Sequence, residues 1–180
     1  MITVELSKFR RIVSLTKAAT PRTTTYPSNP LSNIVIELSG DTLTAVAADR
    51  YWVARYTTTA EGPRDVGPMY YNAAELRDVG KLCKTPVVEL AEGSVGGFPV
   101  GSVFSEAGYP PVVFRILGDC VGADPRPEPP TITYDALALL AAIAPAKRDR
   151  APGSRLTFSC VNERFIYVTD GAGLEVVLPG

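Results

Sequence analysis

The hydrophobic positions at the start of the chain change their period within the first twenty residues. Ile2, Val4 and Leu6 alternate with other residues, and a period of two predicts a β-strand. The apolar residues then recur every three to four positions, which predicts an amphipathic helix that Pro21 prevents from continuing. Two further apolar runs flank a turn at Gly40 and predict a pair of strands.

This order of elements recurs three times along the chain. The first copy contains "MITVELSKFRRIVSLTKAAT" and "NIVIELSGDTLTAVAADRYWVARYTTT", and the second contains "VGPMYYNAAELRDVGKLCK", "PVVELAEG" and "FPVGSVFSEAGYPP". The third contains "TITYDALALLAAIAPAK", "RLTFSCVNE", "RFIYVTD" and "GLEVVLP". Each copy predicts a strand, a helix and two or three strands, so we expect an α+β protein whose copies share a core. The segment "GDCVGADPRPEPP" is rich in proline and glycine and predicts a linker before the third copy.

The first two predicted helices each have a basic face opposite an apolar one. The cations of these faces are Arg10, Arg11, Lys17, Arg77, Lys81 and Lys84. A basic helix face is usually a solvated surface. Two such faces in succession give equal weight to a second interpretation, in which the helices bind phosphates without recognising the base sequence. The third helix, "ALALLAAIA", is apolar nearly all round, so we expect a neighbouring copy or subunit to bury it.

Composition narrows the possible chemistry. The 180 residues are 46% hydrophobic and 21% charged with a net charge of −1, so any attraction to phosphate depends on how the cations are arranged. The absence of histidine excludes Ser-His-Asp and Cys-His catalysis and zinc sites with a histidine ligand. Cys83, Cys120 and Cys160 form no CxxC pair and predict reduced, buried thiols. We expect no metal, no cofactor, no membrane span and a cytoplasmic location.

The sequence resembles the bacterial DNA sliding clamp, the β subunit of the replicative DNA polymerase. The resemblance is carried by "NIVIELSGDTLTAVAADRYWVAR", "YYNAAELRDVGKL" and "SEAGYPPVVFRIL", and by a chain end of aliphatic residues followed by proline. Each clamp domain consists of two β-α-β-β-β half-domains, with helices inside a ring and antiparallel sheets outside. The resemblance therefore implies one complete domain over residues 1–118, a linker over 119–130 and a single half-domain over 131–180.

The resemblance also implies two interaction sites. Clamps contact duplex DNA through their helices and through the loop after the first helix, which adds Arg22 to the six helix cations. They bind peptides of polymerases and clamp loaders in a hydrophobic pocket that the C-terminal strand helps to form. The residues that match this pocket by motif are Leu31, Tyr51, Trp52, Val53, Leu117, Val176, Leu178 and Pro179. Arg50 stands where clamps usually have glycine, and Asp49 is expected to have a structural role in a turn.

The function that this resemblance implies is a non-enzymatic processivity factor that encircles or cradles duplex DNA and tethers a polymerase. The family's rings contain twelve half-domains, so four copies of this chain would complete one as a homotetramer. One alternative is a clamp mimic that forms no ring and sequesters polymerase or loader peptides. Another is a hydrolase that uses Asp49 or Glu75 with a metal, although no carboxylates cluster at ligand spacing in the sequence.

Overall fold

The computed structural model describes residues 1–20, 29–105, 108–150 and 152–180. The strands of these ranges are β1 (Ile2–Glu5), β2 (Asn33–Ser39), β3 (Thr42–Ala48), β4 (Val53–Thr59), β5 (Asp65–Asn72), β6 (Val87–Ala91), β7 (Ser94–Val95), β8 (Phe98–Pro99), β9 (Thr157–Cys160), β10 (Phe165–Thr169) and β11 (Leu174–Pro179). The α-helices are α1 (Leu6–Ser14), α2 (Ala73–Leu82), α3 (Pro111–Cys120) and α4 (Tyr134–Ile143). Among these helices, none combines the length and the apolarity that crossing a bilayer requires.

The strands form two antiparallel sheets. One has the order β1-β6-β7-β8, and the other has the order β5-β2-β3-β4-β11-β10-β9. We divide the chain into module 1 (residues 1–59), module 2 (residues 65–105) and module 3 (residues 131–180), which correspond to the three predicted copies. Antiparallel sheets combined with helices confirm the predicted α+β class.

Modules 1 and 2 exchange their first strands. β1 of module 1 pairs with β6 of module 2, and β5 of module 2 pairs with β2 of module 1. The inward side chains of the exchanged strands, including Ile2, Val4 and Tyr71, are almost completely buried in the core of both modules. The two modules therefore share one core, as the repeat predicts.

Module 3 joins module 1 through the pairing of β11 with β4. Val176 lies opposite Ala54 and Leu174 lies opposite Tyr56, so the sheet continues from one module into the other. The pairing begins at Gly173, whose φ of 104° favours glycine and whose carbonyl accepts the amide of Thr57 at 2.9 Å. A Cβ at position 173 would overlap the carbonyl oxygen of Thr57, so only glycine fits this close approach.

Helices cover both faces of the seven-stranded sheet. α1 contacts α2 and α4, and these three helices enclose the main core with the inner face of the sheet. α3 packs on the outer face against β4 and β11. Val113, Leu117 and Cys120 of α3 form a second apolar cluster there, together with Val53 and Val177 of the strands.

Three elements differ from the sequence predictions. Residues 131–133 form no strand, and Thr133 instead caps α4 by accepting the amide of Ala136 at 3.2 Å. In the segment "FPVGSVFSEAGYPP" the described strand is limited to Phe98–Pro99. α3 was not predicted, and it occupies the first two residues of the predicted linker. Its signal was the apolar spacing of three and four residues after Pro111, a residue that suits the first turn of a helix.

Candidate nucleic-acid interface and peptide site

The predicted cations of the first helix have different environments, and Lys17 lies beyond the end of α1 at Ser14, in a short 3-10 helix over Leu15–Lys17. Lys17 is exposed and Arg10 is half-buried, whereas the Arg11 side chain is only 14% exposed. Arg11 Nη2 donates to Asp170 Oδ2 at 2.9 Å, and its guanidinium lies 5.1 Å from the ring centroid of Tyr56. Arg11 therefore connects module 1 to the turn before β11 and is less available to phosphates than Arg10 and Lys17.

The predicted cations of the second helix lie on or just after α2, which packs beside α1: Arg77 and Lys81 belong to α2, whereas Lys84 lies two residues beyond its end at Leu82. Lys84 and Lys81 are exposed and Arg77 is half-buried. Lys81 Nζ pairs with Asp78 at 2.8 Å, and hydrogen bonding and charge from Lys81 lower the pKa of the Asp78 carboxyl. Both side chains of this pair are mostly exposed, so solvent screens the interaction and leaves the lysine accessible. Arg22, the remaining predicted cation, lies outside the described residues.

The outer face of the seven-stranded sheet brings together three of the predicted pocket residues. Leu31 packs at the edge of the cluster that contains buried Val53 and Leu117. Val177 of β11 completes this group, although the sequence match pointed to its neighbours instead. The group forms where α3 crosses the junction of β4 and β11, which is the junction between modules 1 and 3.

The two sides of β11 separate the remaining tail residues. Val176 and Leu178 point into the main core and are 0% and 1% exposed. They lie on the inner face, away from Val53 and Leu117 on the outer face. Pro179 is exposed and lies opposite Phe165 in the pairing of β11 with β10. Strand alternation places Pro179 on the same face as Val177.

The aromatic pair Tyr51 and Trp52 follows a turn that Asp49 holds. Asp49 Oδ1 accepts the amides of Tyr51 at 2.6 Å and Trp52 at 3.0 Å, which agrees with its predicted structural role. Burial raises the pKa of the Asp49 carboxyl, and these two hydrogen bonds partly oppose that effect. Tyr51 remains 57% exposed beside Arg50, whereas Trp52 packs on the main core and donates to the carbonyl of Ala18 at 3.3 Å.

A polar network adjoins the apolar group on the outer face. Arg55 and Glu175 face each other across β4 and β11 and form an ion pair. Tyr167 donates its hydroxyl to Glu175 Oε1 at 2.7 Å. Burial, followed by the hydrogen bond to Glu175 and its charge, raises the pKa of Tyr167 to about 12. The sequence patterns did not predict this network. Their one indication of it was the charged Glu175 within the otherwise apolar "LEVVLP", which implies a polar partner on a neighbouring strand.

The carboxylates considered for hydrolysis already have partners in the protein. Asp49 accepts the two amides of its turn, and Glu75 Oε2 accepts the amide of Gly101 at 2.6 Å. Within residues 1–20, 29–105, 108–150 and 152–180, no three cysteine, aspartate or glutamate side chains are grouped to hold a metal ion. The three cysteines are free thiols, with Cys83 and Cys120 buried and Cys160 half-buried.

The similarity of this chain to known proteins is found by comparing its structure. No protein-family model and no curated protein matches the sequence. The structure is similar to the DNA polymerase III β subunit of Thermotoga maritima, with a TM-score of 0.66 at 10% identity. It is also similar to the β sliding clamp of Bartonella birtlesii (TM-score 0.66, 14% identity) and to the Helicobacter pylori β clamp bound to a DNA ligase peptide (TM-score 0.62, 9% identity).

Each of these alignments covers 99% of this chain but 63%, 64% and 66% of the respective clamp chains. The chain thus spans slightly less than two thirds of the length of its structural neighbours. At this level of identity the similarity establishes the arrangement of the backbone. The protein therefore has the sliding-clamp fold, and the predicted resemblance to the β subunits of bacterial DNA polymerase III is confirmed at the level of the fold.

Proposed function

We propose that the protein is a sliding clamp-like processivity factor that holds duplex DNA through its helix layer, the helices α1, α2 and α4 on the inner face of the seven-stranded sheet, and tethers a polymerase through a peptide site on the outer face of that sheet. One observation carries the proposal: in a sliding-clamp fold, two adjacent helices present cations from one layer. The proposal includes the division into a complete domain (residues 1–118), a linker (119–130) and a half-domain (131–180). It includes no catalytic residue and no cofactor.

The proposed DNA contacts are made by the accessible cations of the helix layer. Lys17, Lys81 and Lys84 are exposed, and Arg10 and Arg77 are half-buried, so their charged ends can reach phosphates. Arg11 contributes less because its guanidinium is paired with Asp170. Arg22 remains part of the proposed interface through the resemblance of the sequence to clamps. Contacts to phosphates alone give binding that is independent of sequence and weakens steeply with salt.

The test compares charge reversal at the C-terminal end of α2 with charge reversal on α3 and the β9–β10 turn. Lys81→Glu/Lys84→Glu should weaken binding to a fluorescent duplex and reduce the slope of log affinity against log salt by about 2, one for each lost phosphate contact. Arg115→Glu/Arg164→Glu changes the net charge equally at exposed positions on α3 and on the β9–β10 turn. This control should retain the wild-type slope. Equal effects of the two double variants would contradict a DNA interface on the helix layer.

The proposed peptide site is centred on the outer-face group of Leu31, Val53, Leu117 and Val177. Half-buried Leu31 and exposed Pro179 leave apolar surface available beside the buried members, and exposed Tyr51 stays in the proposed site through the resemblance to clamps. A few large apolar side chains of a short peptide would supply most of the affinity at such a site. Trp52, Val176 and Leu178 would support the site by fixing the β3–β4 turn and β11 from the inner face.

Peptide binding can be tested with the kind of ligand that a structural neighbour holds. A fluorescent copy of the DNA ligase peptide bound by the Helicobacter pylori clamp should bind the wild-type chain, and Leu31→Asp should reduce its affinity about tenfold or more. Leu82→Asp, at an exposed leucine of α2, is the matched control and should bind normally. Equal affinity for both variants would place the peptide elsewhere.

The proposed assembly is a homo-oligomer in which four chains supply twelve half-domains. The clamp-mimic alternative has the same fold and the same peptide site but no ring. Mass measured by light scattering across micromolar concentrations separates the two. A strictly monomeric chain that still binds the peptide would favour the mimic.

A further inference from the structure

Modules 1 and 2 each supply the other with a strand, and both strand pairs follow the same register rule. The N-cap residue of each module's helix lies opposite the first residue of the other module's second strand. Glu5, the N-cap of α1, faces Val87 of β6, and Asn72, the N-cap of α2, faces Asn33 of β2. Neither module is complete alone, because each lacks an edge strand that the other supplies.

The helices of the two modules meet at equivalent positions. Val13 lies eight residues after the N-cap of α1, and Gly80 lies eight residues after the N-cap of α2. A Cβ on Gly80 would lie 2.9 Å from both γ-carbons of Val13, so a small residue is needed where the helices cross. Equivalent residues that meet in this way, together with reciprocal strand exchange, describe a local two-fold relation between modules 1 and 2.

Module 3 has the same parts but no complementary strand within the described residues. Thr133 is the N-cap of α4, residues 131–133 belong to no strand, and β9 is the last strand of its sheet, with its outer edge bridged at Cys160 by Arg126 of the same chain. The residue eight positions after Thr133 is Ala141, which is both small and exposed. By analogy with Val13 and Gly80, α4 should cross a partner helix at Ala141, and the described part of the chain contains no such helix at this position.

The outward side of α4 is apolar. Tyr134 is 91% exposed and Leu137 is 46% exposed, and Ala138, Ala141 and Ala142 are also exposed. A cavity of about 410 Å³ opens beside this helix, and its lining combines apolar residues such as Leu137, Ala141 and Phe158 with charged ones such as Arg150 and Asp170. Exposed apolar surface of this kind marks an interaction site.

We propose that a second copy of this chain completes module 3 by the rule that joins modules 1 and 2. α4 of each copy crosses α4 of the other at Ala141, and residues 131–133 of each copy pair with β9 of the other. The register follows from the rule: Thr133 lies opposite Thr157, Ile132 opposite Phe158, and Thr131 opposite Ser159. The pairing ends at Ser159 because the carbonyl of Cys160 already accepts the amide of Arg126 at 2.7 Å.

The chemistry of module 3 fits a second copy better than an unrelated partner. A two-fold axis places each apolar α4 face against an identical face, with small alanines where the helices approach most closely. An antiparallel crossing also brings Asp135, the only charged residue of α4, toward the basic end of the other copy, where Lys147 and Arg150 follow the helix. Ile132 and Phe158 already border the main core, so their pairing extends an apolar surface.

The inference deepens the proposed assembly, and it rests on that proposal for the number of module 3 contacts in a ring. It does not depend on DNA binding. Two chains joined in this way contain three complete clamp-type domains, and two such pairs contain the six of a full ring. The contact is isologous, since the same residues of both copies form it. A residue near the two-fold axis therefore lies beside the same residue of the other copy.

The test introduces one cysteine at a time into the full chain, with Cys160→Ala removing the half-buried thiol and with Cys83 and Cys120 left in place because both are buried. Ala141→Cys should form a covalent dimer on treatment with a short bismaleimide at micromolar concentration, because the two-fold axis places this residue beside its own copy. Ala142→Cys, one position further round the same helix, is the matched control and should crosslink much less. Ala141→Arg should lower the mass of the assembly, measured by light scattering.

The outcomes separate this inference from the proposed function. Crosslinking of Ala141→Cys no greater than that of Ala142→Cys, or a wild-type chain that stays monomeric, would overturn the inference. Duplex binding that depends on Lys81 and Lys84 would leave the proposed function standing in either case. If Ala141→Cys crosslinks specifically but DNA binding is unaffected by substitution of Lys81 and Lys84, the interface is supported and the DNA proposal is overturned.

Discussion

At the scale of single residues, one ion pair links two modules that are far apart in the sequence. Arg11 of α1 pairs with Asp170, whose other oxygen accepts the amides of Ala172 at 2.8 Å and Leu174 at 3.0 Å. The two paired side chains are only 14% and 10% exposed. Asp170 therefore holds both the turn that starts β11 and the helix layer.

Removing Asp170 should leave a mostly buried guanidinium without its partner. We expect Asp170→Ala to lower the free energy of unfolding by about 3 kcal/mol, as measured by urea denaturation. Asp78→Ala removes the partner of Lys81 on the exposed surface of α2 and should leave the unfolding midpoint nearly unchanged. Similar losses from both variants would show that the Arg11 pair has no special role.

Tyr167 gives a pH dependence whose direction is fixed by its environment. Its pKa is raised from the ordinary 10.0 to about 12, so the folded protein holds the phenolic proton more tightly than the unfolded chain does. The resulting stability is complete below pH 10 and is lost as the pH rises toward 12.

The urea midpoint of the wild-type chain should therefore fall between about pH 10 and pH 12, and the midpoint of Tyr167→Phe should fall less over the same interval. Tyr134→Phe, at an exposed ring of α4, is the matched control for loss of a tyrosine hydroxyl. A Tyr167→Phe variant that loses as much stability as the wild type would rule out this contribution.

At the scale of elements, β11 is the central connection of the molecule. It pairs with β4 on one edge and β10 on the other, and it contributes side chains to a core on each face. Val176 and Leu178 pack on the inner face and Val177 packs on the outer face. The uncharged end of the chain is thus explained by a strand that is buried on both faces up to Leu178.

A core role for β11 predicts a large stability cost at Leu178. We expect Leu178→Ala to lower the free energy of unfolding by about 3 kcal/mol, the usual cost of removing a fully buried leucine side chain. Pro179→Ala, at the exposed neighbouring position, should cost much less in the same urea titration. A small loss at Leu178 would mean that the strand packs loosely.

At the scale of the whole molecule, the function that we propose depends on how charge is arranged rather than on its total. The net charge of −1 gives no general attraction to DNA, so the DNA binding that we propose would depend on the local cations of α1, of α2 and of the residues that directly follow them. The outer face of the sheet has an apolar group beside an ion-paired network instead. The two faces therefore suit two different partners.

A closed ring would also make retention depend on DNA topology. Protein assembled on a nicked circular plasmid should remain with it through gel filtration at a salt concentration that disrupts binding to short duplexes, and linearising the plasmid should release it. Ala141→Arg should lose this retention because it blocks the proposed contact between copies. Release from circular and linear DNA at the same rate would contradict a ring.

The sequence alone determined the modular order of the protein. The alternation of Ile2 and Val4, the three-to-four spacing of Phe9, Ile12 and Thr16 and the turn at Gly40 reflect local periodicity, which the backbone follows without long-range information. The resemblance to sliding clamps followed from these elements and their motifs in order. The cations of α1 and α2 could be located for the same reason.

Only the tertiary structure decided which face each residue serves and which residues pair. Arg11 belongs to a cationic face by periodicity, but Asp170 pairs with it because β11 continues the sheet of module 1. Val177 replaces Val176 and Leu178 on the outer face, since a strand covered on both sides shows no alternation that could identify its faces. Such choices depend on contacts between distant segments, which sequence periodicity does not encode.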